Sequence, residues 1–165
     1  MKPFLDITIN SKNEMKKFGH LLSNILSPGD VITLDGNVGV GKTFLCKSII
    51  NKITKIKEIP SPTFNLVLTY PYKLNNEICH CDFYRINSFD EVEELGIFED
   101  LKKKIILLEW PKFNAQINSF DPLVLRIEII KNIEKERSNN RRISLFGSDN
   151  WYKKINDYPA LKKGL

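Results

Sequence analysis

Residues 31–50 read VITLDGNVGVGKTFLCKSII. The segment VITLDG from Val31 to Gly36, rich in β-branched and apolar residues after the turn signal Ser27-Pro28-Gly29-Asp30, predicts a buried strand. Beyond the glycines, Phe44, Leu45, Ser48, Ile49 and Lys52 continue with helical spacing, apolar mainly on one side, and no proline intervenes before Pro60. Gly36, Gly41, Lys42 and Thr43 between them fit G-x-x-x-x-G-K-[ST] without a gap. A strand, a glycine loop and a helix in that order are what this motif requires around itself, and the alternative, a glycine-rich turn with a surface lysine, requires no such context.

The residue types explain the chemistry. Glycine loses the most conformational freedom on folding, so it is retained where the backbone needs positive φ or must approach a ligand closely. Amides turned inward by such a loop form an anion nest, and the following helix adds its unpaired first-turn N–H groups and positive dipole end. The expected nucleotide-contacting run is Gly36, Asn37, Val38, Gly39, Val40, Gly41, Lys42, Thr43 and Phe44. Lys42 is expected as a mobile charge on the β and γ phosphates, and the Thr43 hydroxyl as a Mg²⁺ ligand.

With 165 residues and 42% hydrophobic content, the chain predicts one domain over 1–165, with a poorly determined tail after about residue 147. Three cysteines, Cys46, Cys79 and Cys81, cannot all pair, and the opening MKPFLDITINSKNE lacks a signal-peptide core. No apolar run reaches bilayer-spanning length, so the expectation is a reduced, cytoplasmic protein with no membrane partner. The net charge of +5 is spread over scattered lysines, which favours a solvated surface over a clustered nucleic-acid footprint.

Along the chain, Asp6 to Asn10 reads as a strand, and Ser11 with Glu14 as a capping box opening a helix to about Leu26. Phe64 to Tyr70 and Glu77 to Ile86 read as hairpin partners, and Ser88 with Glu91 as a second cap for a helix over SFDEVEELGIFEDLKKK. The apolar run Lys104 to Trp110 is a buried strand. Strands LVLRIEII and RRISLFG follow, separated by the polar segment Glu134 to Asn140, and a short helix is expected near Trp151 to Lys163. Together these predict an α/β fold, a P-loop NTPase-like mixed sheet with a parallel centre, flanking helices and antiparallel strands. Its nucleotide is expected at the C-terminal ends of the parallel strands.

A phosphate loop alone binds; hydrolysis also needs control of Mg²⁺ charge and a positioned water. Ile105 to Glu109 is an apolar strand ending in an acid, so Glu109 is a candidate Mg²⁺ ligand or water-polarising base. Asp82, charged within an apolar strand, needs partners and is a second candidate. Cys79-His80-Cys81 does not read as a zinc site, because adjacent strand residues face opposite ways and no second Cys or His pair exists.

With these segments in place, the sequence resembles the TsaE (YjeE) family, bacterial ATPases of tRNA threonylcarbamoyladenosine modification. Besides the loop, SPTFNLVLTY is similar to the family's S-P-T-F segment, HCDFYRI to H-x-D-x-Y-R, EELGIFEDL to its E-E-L-G helix and LLEWP to its I-E-W-P strand end, all in order within residues 5 to 130. The resemblance implies that Ser61-Pro62-Thr63-Phe64 is a switch-like loop with Thr63 sensing the γ-phosphate or Mg²⁺. It implies that Asp82 is a required acid and that Trp110 lies beside the nucleotide. It further implies binding of ATP/ADP with Mg²⁺, docking on the TsaD–TsaB transferase, indirect contact with tRNA through that complex, and a monomer when isolated. One departure stands out, since Phe44 replaces the hydroxyl residue that usually follows the family's threonine and removes a hydrogen bond to the α-phosphate. Competing readings are a small-molecule kinase, against which stands the lack of arginine between Glu91 and Leu108, a GTPase, whose N-K-x-D pattern is missing, and a nucleotide-gated module that does not hydrolyse.

Overall fold

The computed structural model describes residues 2–73, 75–130 and 140–163. Its centre is β2 (Val31–Asp35), with β5 (Lys104–Glu109) parallel on one side and β6 (Leu123–Ile129) parallel on the other. Beyond β5 come β4 (Asn76–Asp82), parallel to it, and β3 (Val67–Tyr72), antiparallel at the edge. Beyond β6 come β7 (Arg141–Phe146) and β1 (Leu5–Ile9), both antiparallel. The seven-stranded order β1-β7-β6-β2-β5-β4-β3 is the mixed sheet with a parallel centre that the sequence predicts.

Strand parity assigns the two faces. Ile105 and Leu107 join the core under α1 (Lys12–Ser23) and α2 (Lys42–Thr54), whereas Ile106 and Leu108 join a second core with Val92 of α3 (Phe89–Glu94) and Ile117 of α4 (Asn114–Ile117). By the same alternation, Cys79 and Cys81 enter that second core, and Ile78 enters the first. His80, Asp82 and Glu109 therefore project toward α2 and the glycine loop. Helices α1 and α2 cross closely at Gly19, where an added Cβ would come within 2.8 Å of the Ser48 Cβ.

Several boundaries differ from expectation. Helix α1 stops at Ser23, where the Ser23 hydroxyl donates to the His20 carbonyl. Its Ser11 cap accepts from the Glu14 amide as expected, but the Glu14 carboxylate reaches back to the Asn10 amide. The first hairpin strand begins at Val67 because Pro62 to Leu66 close a turn, with the Leu66 N–H donating to the Pro62 carbonyl and Leu66 at φ +62°. Pro71 is tolerated in β3 because that strand is an edge. The Ser88–Glu91 capping box forms, yet α3 ends at Glu94, before Gly96 turns the chain at φ +59°. The short helix expected near Trp151 to Lys163 is two helices, α5 (Asp149–Asn156) and α6 (Ala160–Lys163), split by Pro159, with Trp151, Ile155 and Leu161 buried against the α1–α2 side. Most of the polar segment Glu134 to Asn140 lies outside the described residues.

Candidate functional site

Gly36 leaves β2 at φ +141°, and an added Cβ there would lie 2.3 Å from the Ile127 carbonyl oxygen of β6, so only glycine fits. Gly39 and Gly41 also have positive φ, at +80° and +111°. Gly41 caps α2 without any side-chain hydrogen bond, which leaves the first-turn amides of the helix to the loop's concave side.

Lys42, expected on the β and γ phosphates, rests against its own loop. It is 4% exposed, and its Nζ donates to the carbonyls of Gly36 at 2.5 Å and Asn37 at 3.0 Å while sitting 3.6 Å from the centre of the Trp110 ring. The loop folds back on its own cation because two carbonyls and an aromatic face are the nearest groups able to replace water around a buried ammonium. Burial lowers the Lys42 pKa, against the opposing pull of Glu109, Asp35 and Asp82.

Glu109 ends β5 at 1% exposure, not on the surface. One oxygen, Oε2, accepts from the Thr43 hydroxyl at 2.7 Å, and the other, Oε1, lies 2.8 Å from His80 Nε2. Asp82 is the register partner of Glu109 across β4 and β5. Its Oδ2 accepts from the Thr63 hydroxyl at 2.9 Å and its Oδ1 from the Tyr84 amide at 2.8 Å. The partners that a buried carboxylate requires are thus supplied by the Ser61–Phe64 loop and by the chain's own turn after β4. Trp110 follows at φ +57°, its ring centre 5.0 Å from that of Tyr84.

These groups face one cavity of about 790 Å³. Val38, Gly39, Val40, Gly41, Lys42, Thr43 and Phe44 line it, as do Thr63, Asp82, Glu109 and Trp110. Gly36 and Asn37 do not line it; they act through the carbonyls that hold Lys42. The cavity also has a wall for which the sequence offers no motif: Ile9, Asn10 and Ser11 at the β1–α1 junction, Met15, and Arg141, whose Nε donates to the Val40 carbonyl at 3.1 Å. Ser11 is legible in the sequence only as a helix cap, and Arg141 only as one of many scattered cations.

The donors present fit the groups that the motif implies. A hydroxyl and a carboxylate at Thr43 and Glu109 are hard oxygen ligands suited to Mg²⁺. The cradle of positive-φ glycines suits phosphate, and the volume suits a nucleotide. Cys46 lies under the site, with His80 and Glu109 donor atoms all within 4.8 Å of one another. Burial, and then Glu109, push its thiol well up, so it remains a thiol and packs as an apolar group.

The family described as threonylcarbamoyl adenosine biosynthesis protein TsaE matches residues 9–143. The chain is 37% identical over 145 residues to the tRNA threonylcarbamoyladenosine biosynthesis protein TsaE of Rickettsia prowazekii, covering 87% of this chain and 95% of that one. It is 27% identical to the protein of the same name from Aquifex aeolicus, covering 88% and 98%. The crystal structure of Bacillus subtilis YdiB shares the fold, with a TM-score of 0.68 at 23% identity over 96% of this chain and 94% of the other.

Proposed function

This chain belongs to the TsaE family, and so to tRNA threonylcarbamoyladenosine biosynthesis; from that premise we propose that it is the system's ATP-binding and ATP-hydrolysing component, acting on the TsaD–TsaB transferase to support its turnover. The observation that carries the reading is the meeting of Thr43 and Glu109, at 2.7 Å, beside the glycine loop of one nucleotide-sized cavity.

Each residue has a role in this reading. The amides of residues 38–43 and the Lys42 ammonium bind the phosphates, with Lys42 leaving its carbonyls to do so. Thr43 and Glu109 hold Mg²⁺, which when bound neutralises charge on the phosphate oxygens. Asp82 anchors Thr63 and so positions the loop that faces the γ-phosphate and the attacking water. Ile9, Met15 and Phe44 offer apolar surface to the base, and Trp110 closes the phosphate end. The protein works in the cytoplasm, as a monomer apart from its partners, and reaches tRNA through the complex. Among the described residues no helix is long and apolar enough to cross a membrane.

The carbonyl-bound Lys42 and a Thr63 loop tied to Asp82 by a single hydroxyl support slow turnover alone, with acceleration when a partner orders both around the nucleotide. Steady-state phosphate release tests this, measured for the protein alone and with excess TsaD–TsaB and tRNA. Slow release that rises with partner is the expected result. A high rate alone that partner leaves unchanged would make a free-standing ATPase or kinase the better account.

A further inference from the structure

Glu109 supplies the negative charge at the mouth of the loop, and a histidine holds it. His80 stands in β4 two residues before Asp82, on the same sheet face, and is fully buried. Its Nε2 lies 2.8 Å from Glu109 Oε1 while the Thr43 hydroxyl takes Oε2. Among the described residues its other ring nitrogen, Nδ1, is buried and has no partner. These contacts select the tautomer. A carboxylate oxygen only accepts, so the ring proton belongs on Nε2; placed on Nδ1 it would be stranded, and two lone pairs would face each other at 2.8 Å.

The geometry points to His80 as the positioning residue for Glu109: its Nε2–H fixes one carboxylate oxygen so that the other stays turned toward Thr43 and the cavity. Glu109 needs such a restraint. It is the last residue of β5, the chain turns sharply at Trp110 directly after it, and a glutamate side chain otherwise has several rotamers. The backbone that carries His80 is held on both sides by β3 and β5, and the ring itself is fully buried. By sequence His80 opens the segment HCDFYRI that resembles H-x-D-x-Y-R, and no spacing within that segment reveals Glu109 as its partner.

The kinetic half of this inference rests on the ATPase reading, whereas the hydrogen bond itself is tested without turnover. His80→Phe keeps the ring volume and removes the donor, and His80→Gln offers an amide N–H at about the place of Nε2. Removing a group that orients a metal ligand typically costs roughly 10–100-fold in metal affinity or activity. His80→Phe should show that loss in kcat and in the Mg²⁺ dependence of ATP binding, with metal-free nucleotide affinity unchanged, and His80→Gln should recover most of it. Equal loss in both variants, or wild-type behaviour in His80→Phe, overturns the inference.

A second measurement covers the case in which His80→Phe does not fold. The chain has two histidines, so a His20→Asn variant assigns both rings in a long-range proton–nitrogen NMR correlation of the wild type. The His80 ring should carry a proton on Nε2, and an Nε2 without a proton overturns the inference. Failure of the wild type to hydrolyse ATP would count against the ATPase reading and leave this ring proton as found.

Discussion

Lys42→Ala gives the sharpest test of the phosphate loop, because the structure changes the size of the expected effect. A unit charge about 4 Å from another is worth about 4 kcal/mol at an effective dielectric of about 20, or roughly three decades in affinity. That figure assumes a lysine with nothing to give up. Here Nζ is already bound to the Gly36 and Asn37 carbonyls and lies over Trp110. Releasing even one charge-assisted bond costs about 1.5–3 kcal/mol. The net loss for Lys42→Ala is then about 1–2.5 kcal/mol, roughly 5- to 70-fold in Kd. Stability should change by less than about 1 kcal/mol, since truncation relieves the burial that lowers the Lys42 pKa and opens the two carbonyls to water. Calorimetric titration with ATP and ADP, alongside circular dichroism and thermal unfolding, reads both quantities. Unchanged affinity in a folded variant would refute the phosphate-loop assignment, and a loss of three decades or more would refute the argument that the free protein holds its lysine in place.

Glu109→Gln keeps an acceptor for His80 and loses the charge, so ATP should still bind while phosphate release falls by roughly 10²–10⁴-fold; wild-type turnover would leave Glu109 a structural residue. Asp82→Ala frees Thr63 and the Tyr84 amide, and should abolish stimulation by TsaD–TsaB in the phosphate-release assay while leaving most ATP affinity. Gly36→Ala should cost at least about 1–3 kcal/mol from backbone strain alone, with a further penalty from the Ile127 carbonyl. Gly39→Ala, whose Cβ meets nothing within 4 Å, should unfold at a higher temperature than Gly36→Ala, and the reverse order would contradict the geometry. Burial raises the Cys46 and Cys81 thiols, so the folded state keeps protons that the unfolded chain releases above about pH 8.5. Stability should therefore be intact below that pH and fall as pH rises beyond it, and Cys46→Ala should flatten the slope by up to about 1.4 kcal/mol per pH unit in denaturant titrations.

Much of the site is legible in the sequence because its chemistry is written in contiguous residues. The strand, loop and helix from Val31 to Thr54 are one continuous stretch, and so are the Ser11 and Ser88 caps and the apolar run that ends in Glu109. A periodicity of two also tells which residues of a strand share a face. Element ends are less legible where a tertiary or local bond competes with propensity. The hydroxyl of Ser23 ends α1, the Pro62–Leu66 turn delays β3, and the Gly96 turn follows a helix whose sequence reads as longer.

The sequence by itself determined the local conformations: where glycine permits positive φ, where a cap starts a helix, and which strands are apolar enough to be central. The family resemblance also rests on these contiguous motifs. Apart from the β3–β4 hairpin, only the tertiary structure decided which strand lies beside which, because an apolar strand carries no label for its neighbour. That choice puts Ile127 against Gly36, Asp82 beside Glu109, and Arg141 at Val40. It also decided the polar pairings. Glu109 finds Thr43 and His80, and Asp82 finds Thr63, across long stretches of chain, since a buried donor or acceptor must be satisfied by whatever the packed fold brings within about 3 Å. The folding back of Lys42 onto its own loop has the same cause: the sequence specifies a cation, but only the packed environment specifies what surrounds it.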